Sequence, residues 1–222
     1  MPFIQLKPAE RSFIELARNL TRRLSEIILC EGATDAEILK LVAGKPDKNV
    51  GVTDCGGVRQ LYEVGRYIAA LARCSRRLET IGVIVDADKY TYVERASSLI
   101  NSLKAHELQV SRLEEVSEGL YETLIEQRRL LICIAGLSDI PVKAHSIEDH
   151  LVKALILEGR ISIEDARGKP SSKDLLNTLN TSVVDELKAL MKRRTRVIDE
   201  AFRRLINFVD KLQFEDGSNE LT

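Results

Sequence analysis

Tryptophan is absent from the 222 residues, and histidine occurs only three times. The four cysteines, Cys30, Cys55, Cys74 and Cys133, form no CxxC pair. Cys30 and Cys133 sit inside apolar runs where a thiol acts as a small hydrophobe, so neither a zinc site nor a disulfide framework is expected. An excess of charge is missing too: 33 Lys and Arg stand against 34 Asp and Glu, a net charge of -1. No global field therefore attracts nucleic acid, and such binding would have to rest on a local basic patch. No apolar run approaches the roughly 20 residues of a membrane span, and the opening MPFIQLKPAER has no signal-peptide core. A cytoplasmic protein with no membrane partner is expected. What is present is ordinary: 44% hydrophobic residues, 30% charged and a mean hydropathy of -0.11. That length and composition suit one α/β domain with a helical appendage, and no internal repeat is visible.

The stretch Ile81 to Lys89 (IGVIVDADK) runs a five-residue apolar segment, four of it Ile or Val, into two aspartates. A continuous apolar run suits a strand covered on both faces, as in a parallel sheet. Upstream, Ala9 to Arg23 has helical spacing. Glu26 to Cys30 reads as a strand, followed by a tight turn at Gly32 and a helix for which Thr34 is the expected N-cap and Glu37 its capping-box partner. Asn49 to Asp54 reads as a second strand, with Gly56 and Gly57 in the turn before a helix from Val58 to Arg77. The third strand, Thr80 to Val85, precedes a helix from Tyr92 to Ala105. Glu107 to Gln127 carries no clear period. Arg129 to Ala135 reads as a fourth strand, with a helix from Ser146. From Ile161 the pattern is helical, with Ser171 or Ser172 as a cap and one long helix from Val183 to Leu212. Threefold strand-helix alternation predicts right-handed βαβ units and a mainly parallel four-stranded sheet flanked by helices. The expected division is an N-terminal helix over residues 1–24, an α/β domain over 25–157 and a helical extension over 158–222.

Ligands of open α/β sheets collect beyond the carboxyl ends of the strands, which is where Glu31, Asp35, Asp86 and Asp88 fall in this reading. A spacing of two on extended chain points the carboxylates of Asp86 and Asp88 to one side. Crowded carboxylates raise each other's pKa, so a divalent cation is the natural stabiliser, and all-oxygen ligands favour magnesium or manganese. Such a site suits phosphoryl chemistry. Taken alone, Asp-x-Asp also fits an acidic loop or a helix cap. Lys89 beside the acids either stabilises a phosphate or offsets local charge. Gly32, Gly56 and Gly57 are candidate substrate-binding turns, and Arg59 beyond them meets a phosphate or is solvated. His145 and His150 read as capping or surface residues. Arg193, Arg194, Arg196, Arg203 and Arg204 make the last helix basic; a solvated face is the default and a nucleic-acid track the sharper alternative.

Cys30-Glu31-Gly32-Ala33-Thr34-Asp35 after a strand, a second strand ending near Gly56-Gly57, and then Val85-Asp86-Ala87-Asp88 resemble the Toprim domain of primases, topoisomerases and related nucleases. The resemblance covers Glu26 to Leu157. It implies a Rossmann-like Toprim fold, Glu31 as the proton-transfer residue, and Asp86 and Asp88 as metal ligands. The Glu-Gly-x-x-Asp form is similar to small stand-alone Toprim proteins and overcoming-lysogenization-defect nucleases, which implies Asp35 as a further ligand and Glu148 as the acid for a second metal. The Lys89-Tyr90-Thr91 that follows the aspartates departs from the Gly-Glu-Arg frequent in the bacterial 5S rRNA maturase, so no specific substrate is carried over. The resulting expectation is a magnesium-dependent or manganese-dependent nuclease acting on DNA or RNA. The alternatives are a non-catalytic Toprim module serving as a subunit of a nucleic-acid or ribosome-associated complex, and an Asp-x-Asp phosphatase or transferase.

Overall fold

The computed structural model describes residues 4–5, 24–43, 50–56, 61–74, 77–179, 187, 189–191, 193 and 195–213. The expected opening helix over 9–23, and Gly57, Arg59 and Arg194, lie outside them. In chain order the elements begin with β1 (Ile4–Gln5), β2 (Glu26–Cys30), α1 (Ala33–Val42), β3 (Val50–Asp54) and α2 (Leu61–Cys74). Next come β4 (Thr80–Asp86), α3 (Tyr92–Ala105), β5 (Glu114–Ser117), β6 (Leu120–Ile125) and β7 (Arg128–Ala135). The C-terminal part holds α4 (Glu148–Leu157), α5 (Ile163–Ala166), α6 (Ser172–Thr178), α7 (Arg196–Ala201) and α8 (Arg203–Gln213). Among the described residues no helix is long and apolar enough to cross a membrane.

The sheet is seven-stranded and mixed, in the order β1-β3-β2-β4-β7-β6-β5. This corrects the expected four strands. The four expected strands are all present, parallel, and adjacent at the centre of the sheet. The additions are β1 on one edge and the antiparallel pair β5 and β6 on the other. The pair arises from Glu107 to Gln127, where short strands with mixed burial leave no long periodic run to read.

Alternation in the strands sorts side chains onto two cores. Leu29, Ile81, Val83, Val85, Ile132 and Ile134 face α2 and α3. Ile28, Cys30, Ile84, Leu131 and Cys133 face α1, α4 and the C-terminal helices. Both faces are therefore dry, and each fully buried aliphatic side chain contributes roughly 1.5–3 kcal/mol relative to exposure. The helix after β2 covers one face and the helix after β3 the other, so the chain reverses its winding beside β2. In open α/β sheets a crevice forms at the carboxyl ends of the strands at such a point.

Two local expectations change. The N-cap of α1 is Gly32, not Thr34; the Gly32 amide donates to Asp35 Oδ2 at 2.8 Å, so the acid three residues on caps the helix from inside. The long helix expected from Val183 to Leu212 is interrupted: Thr195 caps a new helix, its hydroxyl accepting from the Ile198 amide, and a turn at Phe202 separates α7 from α8. The break lets Phe202, Leu205, Phe208 and Leu212 all reach the core. It also buries Arg204, which was expected on a basic solvated face. Arg204 Nη1 donates to the carbonyls of Ile134 (2.9 Å) and Gly136 (2.7 Å) at the end of β7. Its guanidinium lies 4.3 Å from the Tyr92 ring centroid. Gly119, with φ of +70, leaves room for it: a Cβ there would stand 2.7 Å from Arg204 Cζ.

Candidate functional site

Each of three neighbouring strands ends in an acid. Cys30 pairs in register with Asp54 on one side and Ile84 on the other, so Glu31, Asp54 and Asp86 lie at the same edge of the sheet. Glu31 is tied into that edge, its amide donating to the Ile84 carbonyl and its Oε2 accepting from the Asp86 amide at 3.2 Å. Asp54 accepts from the Gly56 amide at 2.9 Å, which shapes the turn after β3; the positive φ of +73 at Gly56 is one a side chain disfavours.

Asp35 adds a carboxyl from the first turn of α1, buried to 7% exposure. Burial pushes it up to about 7, the charges of Glu148, Glu31 and Asp54 push the same way, and the Gly32 amide opposes them. Asp86 is held well above the usual carboxylate range, first by burial and then by Asp35, Glu31 and Glu148; the Ile147 amide, 3.0 Å from Oδ1, opposes the shift. Glu31 is raised as well, mainly by burial, against the pull of the Asp86 amide and Arg95. The charges of Glu31 and Glu148 act on both Asp35 and Asp86, and that of Asp35 acts on Asp86, which links acids from the end of β2, α1, β4 and the start of α4.

Asp88 stands apart. The backbone leaves the extended conformation at a φ of +55, and Asp88 pairs with His145 through both backbone hydrogen bonds, at 2.8 and 2.7 Å. Its carboxylate, 49% exposed, meets Arg95 Nη2 at 2.9 Å. The equal orientation expected for Asp86 and Asp88 on extended chain does not hold, because the strand ends at Asp86. Lys89 is exposed beside Asp88, and Gly32 and Gly56 lie at the turns beyond β2 and β3.

Arg95 was not anticipated. It is buried in α3, donates from Nε to the Asp86 carbonyl at 2.7 Å, and sits 3.6 Å from Glu31 Oε2 as well as against Asp88. One signal pointed to it: it shares the inward helical face with Ala96 and Leu99, where a charged residue requires a partner. Asp149, part of the Ser146 to Asp149 stretch offered for a second metal, has a structural role that was not anticipated. It is fully buried, accepts from the Leu137 amide at 2.9 Å, and is hydrogen-bonded to the Ser172 hydroxyl and to His145 Nδ1 at 2.7 Å. That bond raises the His145 pKa, against the effect of burial. His150, expected as a capping or surface residue, is buried; Nδ1 lies 2.7 Å from the Ala201 carbonyl, and burial pushes its pKa down to about 4.

The donor chemistry fits a hard cation, being all carboxylate and crowded. Burial raises the thiols of Cys30, Cys55 and Cys133, the last two to about 12, which disfavours their thiolate forms. Among the described residues no three acids, histidines or cysteines are already gathered for a metal ion. A cation would therefore require the carboxylates to turn toward it, with Arg95 meanwhile offsetting part of the charge.

A family model described as Protein of unknown function (DUF3226) matches the chain over residues 25–213. No curated protein and no solved structure matches it.

Proposed function

We propose that this chain, which belongs to the family described as Protein of unknown function (DUF3226), is a metal-dependent enzyme that cuts phosphodiester bonds of nucleic acid. The observation that carries the reading is the acidic edge itself. Asp35 is buried and Glu31 and Asp86 are half-buried; burial raises the pKa of all three, and the charges of Glu31 and Glu148 add to the shifts of Asp35 and Asp86, a costly arrangement. The resemblance of the Glu-Gly-x-x-Asp and Asp-x-Asp stretches to Toprim nucleases favours the same chemistry.

In this reading Asp86, Asp35 and Glu148 hold magnesium or manganese, with Asp88 and Glu31 at the margin. The cation, when bound, polarises a phosphate oxygen and offsets developing charge. Glu31 moves a proton: its raised pKa lets it keep one closer to neutral pH than an ordinary glutamate does. Arg95, donating to the Asp86 carbonyl and flanking Glu31 and Asp88, fixes the orientation of the acids. Lys89 faces the substrate's phosphate. The protein thus acts on DNA or RNA.

The test is calorimetric titration of magnesium and manganese into the protein beside an Asp86→Asn/Asp88→Asn variant, followed by cleavage assays on DNA and RNA with Glu31→Gln. Cation binding lost in the double variant and cleavage reduced at least a hundredfold by Glu31→Gln are expected. Cation binding indifferent to both aspartates would overturn the reading.

A second reading is a non-catalytic module serving a nucleic-acid or ribosome-associated assembly. It is favoured by Arg95 already lying between Glu31 and Asp88, a guanidinium where an active centre would want metal. Its signature is nucleic-acid binding unchanged by removal of the acids.

A further inference from the structure

Beside the acidic edge lies a cavity of about 430 Å³, lined among others by Lys89, Tyr90, Tyr92, Ser138, Lys143 and His145. It opens where β4 and β7 run out, next to Asp88, and its wall is built from parts the acid chemistry leaves unused. Tyr92 is fixed on three counts. Its hydroxyl lies 3.2 Å from the Gly136 carbonyl, it accepts from the Ser138 amide at 3.0 Å, and its ring meets the Arg204 guanidinium. Tyr90 is 54% exposed, with Arg95 5.9 Å from its ring centroid. A large aromatic side chain left this open beside a cavity offers a flat apolar surface to a partner.

The cations complete the pattern. Lys89 and Lys143 are exposed, and neither ammonium has a partner among the described residues. The start of α3 does not compete for an anion there, since the Thr91 amide and hydroxyl both donate to Glu94 Oε2 at 2.9 Å. An aromatic face with unpaired lysines beside it matches one ligand chemistry, a planar base carrying a phosphate. The net charge of -1 gives the chain no general affinity for polyanions, so such affinity rests on local groups, and this patch supplies two unpaired ammonium groups beside an exposed ring.

We propose that the cavity takes one nucleotide of a single-stranded stretch, its base against Tyr90 and its phosphate toward Lys89 and Lys143. The inference rests on the acidic edge being the cutting site, and it names the form of substrate: an unpaired strand or end, whose base faces are free to leave their neighbours and stack on protein. A continuous duplex keeps those faces covered.

The experiment is fluorescence anisotropy of the full chain with a short fluorescein-labelled oligodeoxythymidine, alone and annealed to its complement, in EDTA so that no cleavage intervenes. Tighter binding of the single strand is expected, weakened roughly tenfold by Tyr90→Ala. Lys143→Ala should weaken it and lower the salt dependence by about one charge. Tyr62→Ala, a half-exposed tyrosine on α2, should leave affinity unchanged. Photocrosslinking with 5-iodouracil in the strand should then yield an adduct on Tyr90. Equal affinity for strand and duplex, affinity indifferent to Tyr90, or no binding at all would overturn the inference. Because binding is read without metal, failure of this inference and failure of the cutting reaction in the calorimetric test are told apart.

Discussion

At the scale of single residues, Asp35 carries the clearest pH dependence. Its pKa is about 7 in the folded chain against roughly 3.9 when unfolded, so the folded state binds the proton more tightly. Its contribution to stability is complete below the unfolded value and is lost as pH rises through 7. Three units correspond to about 4 kcal/mol as an upper figure. Asp35→Asn keeps an oxygen to accept from the Gly32 amide and removes the charge. In metal-free buffer the variant should therefore be more stable than the parent at pH 8, by on the order of 2–4 kcal/mol, with the margin falling to about 1–1.5 kcal/mol at pH 5 and vanishing only below about pH 4. Urea denaturation at the two pH values measures this; identical pH slopes for both proteins would refute it.

At the scale of elements, the C-terminal helix α8 is seated on β4 through a glycine. A Cβ at Gly82 would come within 2.7 Å of both Phe208 Cζ and Leu212 Cδ1. Gly82→Ala should therefore destabilise the fold by about 1–3 kcal/mol, with hydrogen exchange rising first in α8. An unchanged denaturation midpoint would show that the helix can shift at no cost.

The same elements show what could be read before the fold was known. Continuous apolar runs such as Ile81 to Val85 and Leu130 to Ala135 announced buried parallel strands, and the acids after Cys30 and Val85 marked the strand ends where open α/β sheets collect ligands. The hairpin of β5 and β6 was not legible, because Glu114 to Ser117 is mostly exposed and carries no alternation a reader could trust. The break at Thr195 was missed because helical spacing continues across it; only the packing of Phe202 and Phe208 into one core requires the turn. Of the site, Glu31, Asp35, Asp86 and Glu148 were visible by position. Arg95 was not singled out, and Asp149 only as part of the Ser146 to Asp149 stretch, since their roles depend on partners such as Glu31 for one and Ser172 and Leu137 for the other.

At the scale of the whole molecule, the proposed cation would compete with the protons of the acidic edge for the same oxygens. Magnesium at a hundredfold excess over its dissociation constant should stabilise the fold by about 2.7 kcal/mol, raising Tm by roughly 5–10 °C for a chain of this size. The rise should be larger at pH 8 than at pH 6, because at pH 6 the ion must first displace the proton of Asp35. Thermal scans of the parent and the Asp86→Asn/Asp88→Asn variant decide it: an equal rise in both would put the ion elsewhere.

Arg204 gives the fold an order of assembly. The acids are in place by residue 149, yet the carbonyls of Ile134 and Gly136 beside them, and the ring of Tyr92, are secured by a side chain more than fifty positions further on. During synthesis every acid leaves the ribosome before the arginine that braces their surroundings. A product of premature termination would carry the whole set of acids and lack the clasp that holds the neighbouring loop. The segment beyond β7 is thus finished only when the C-terminal helix has been made and has docked.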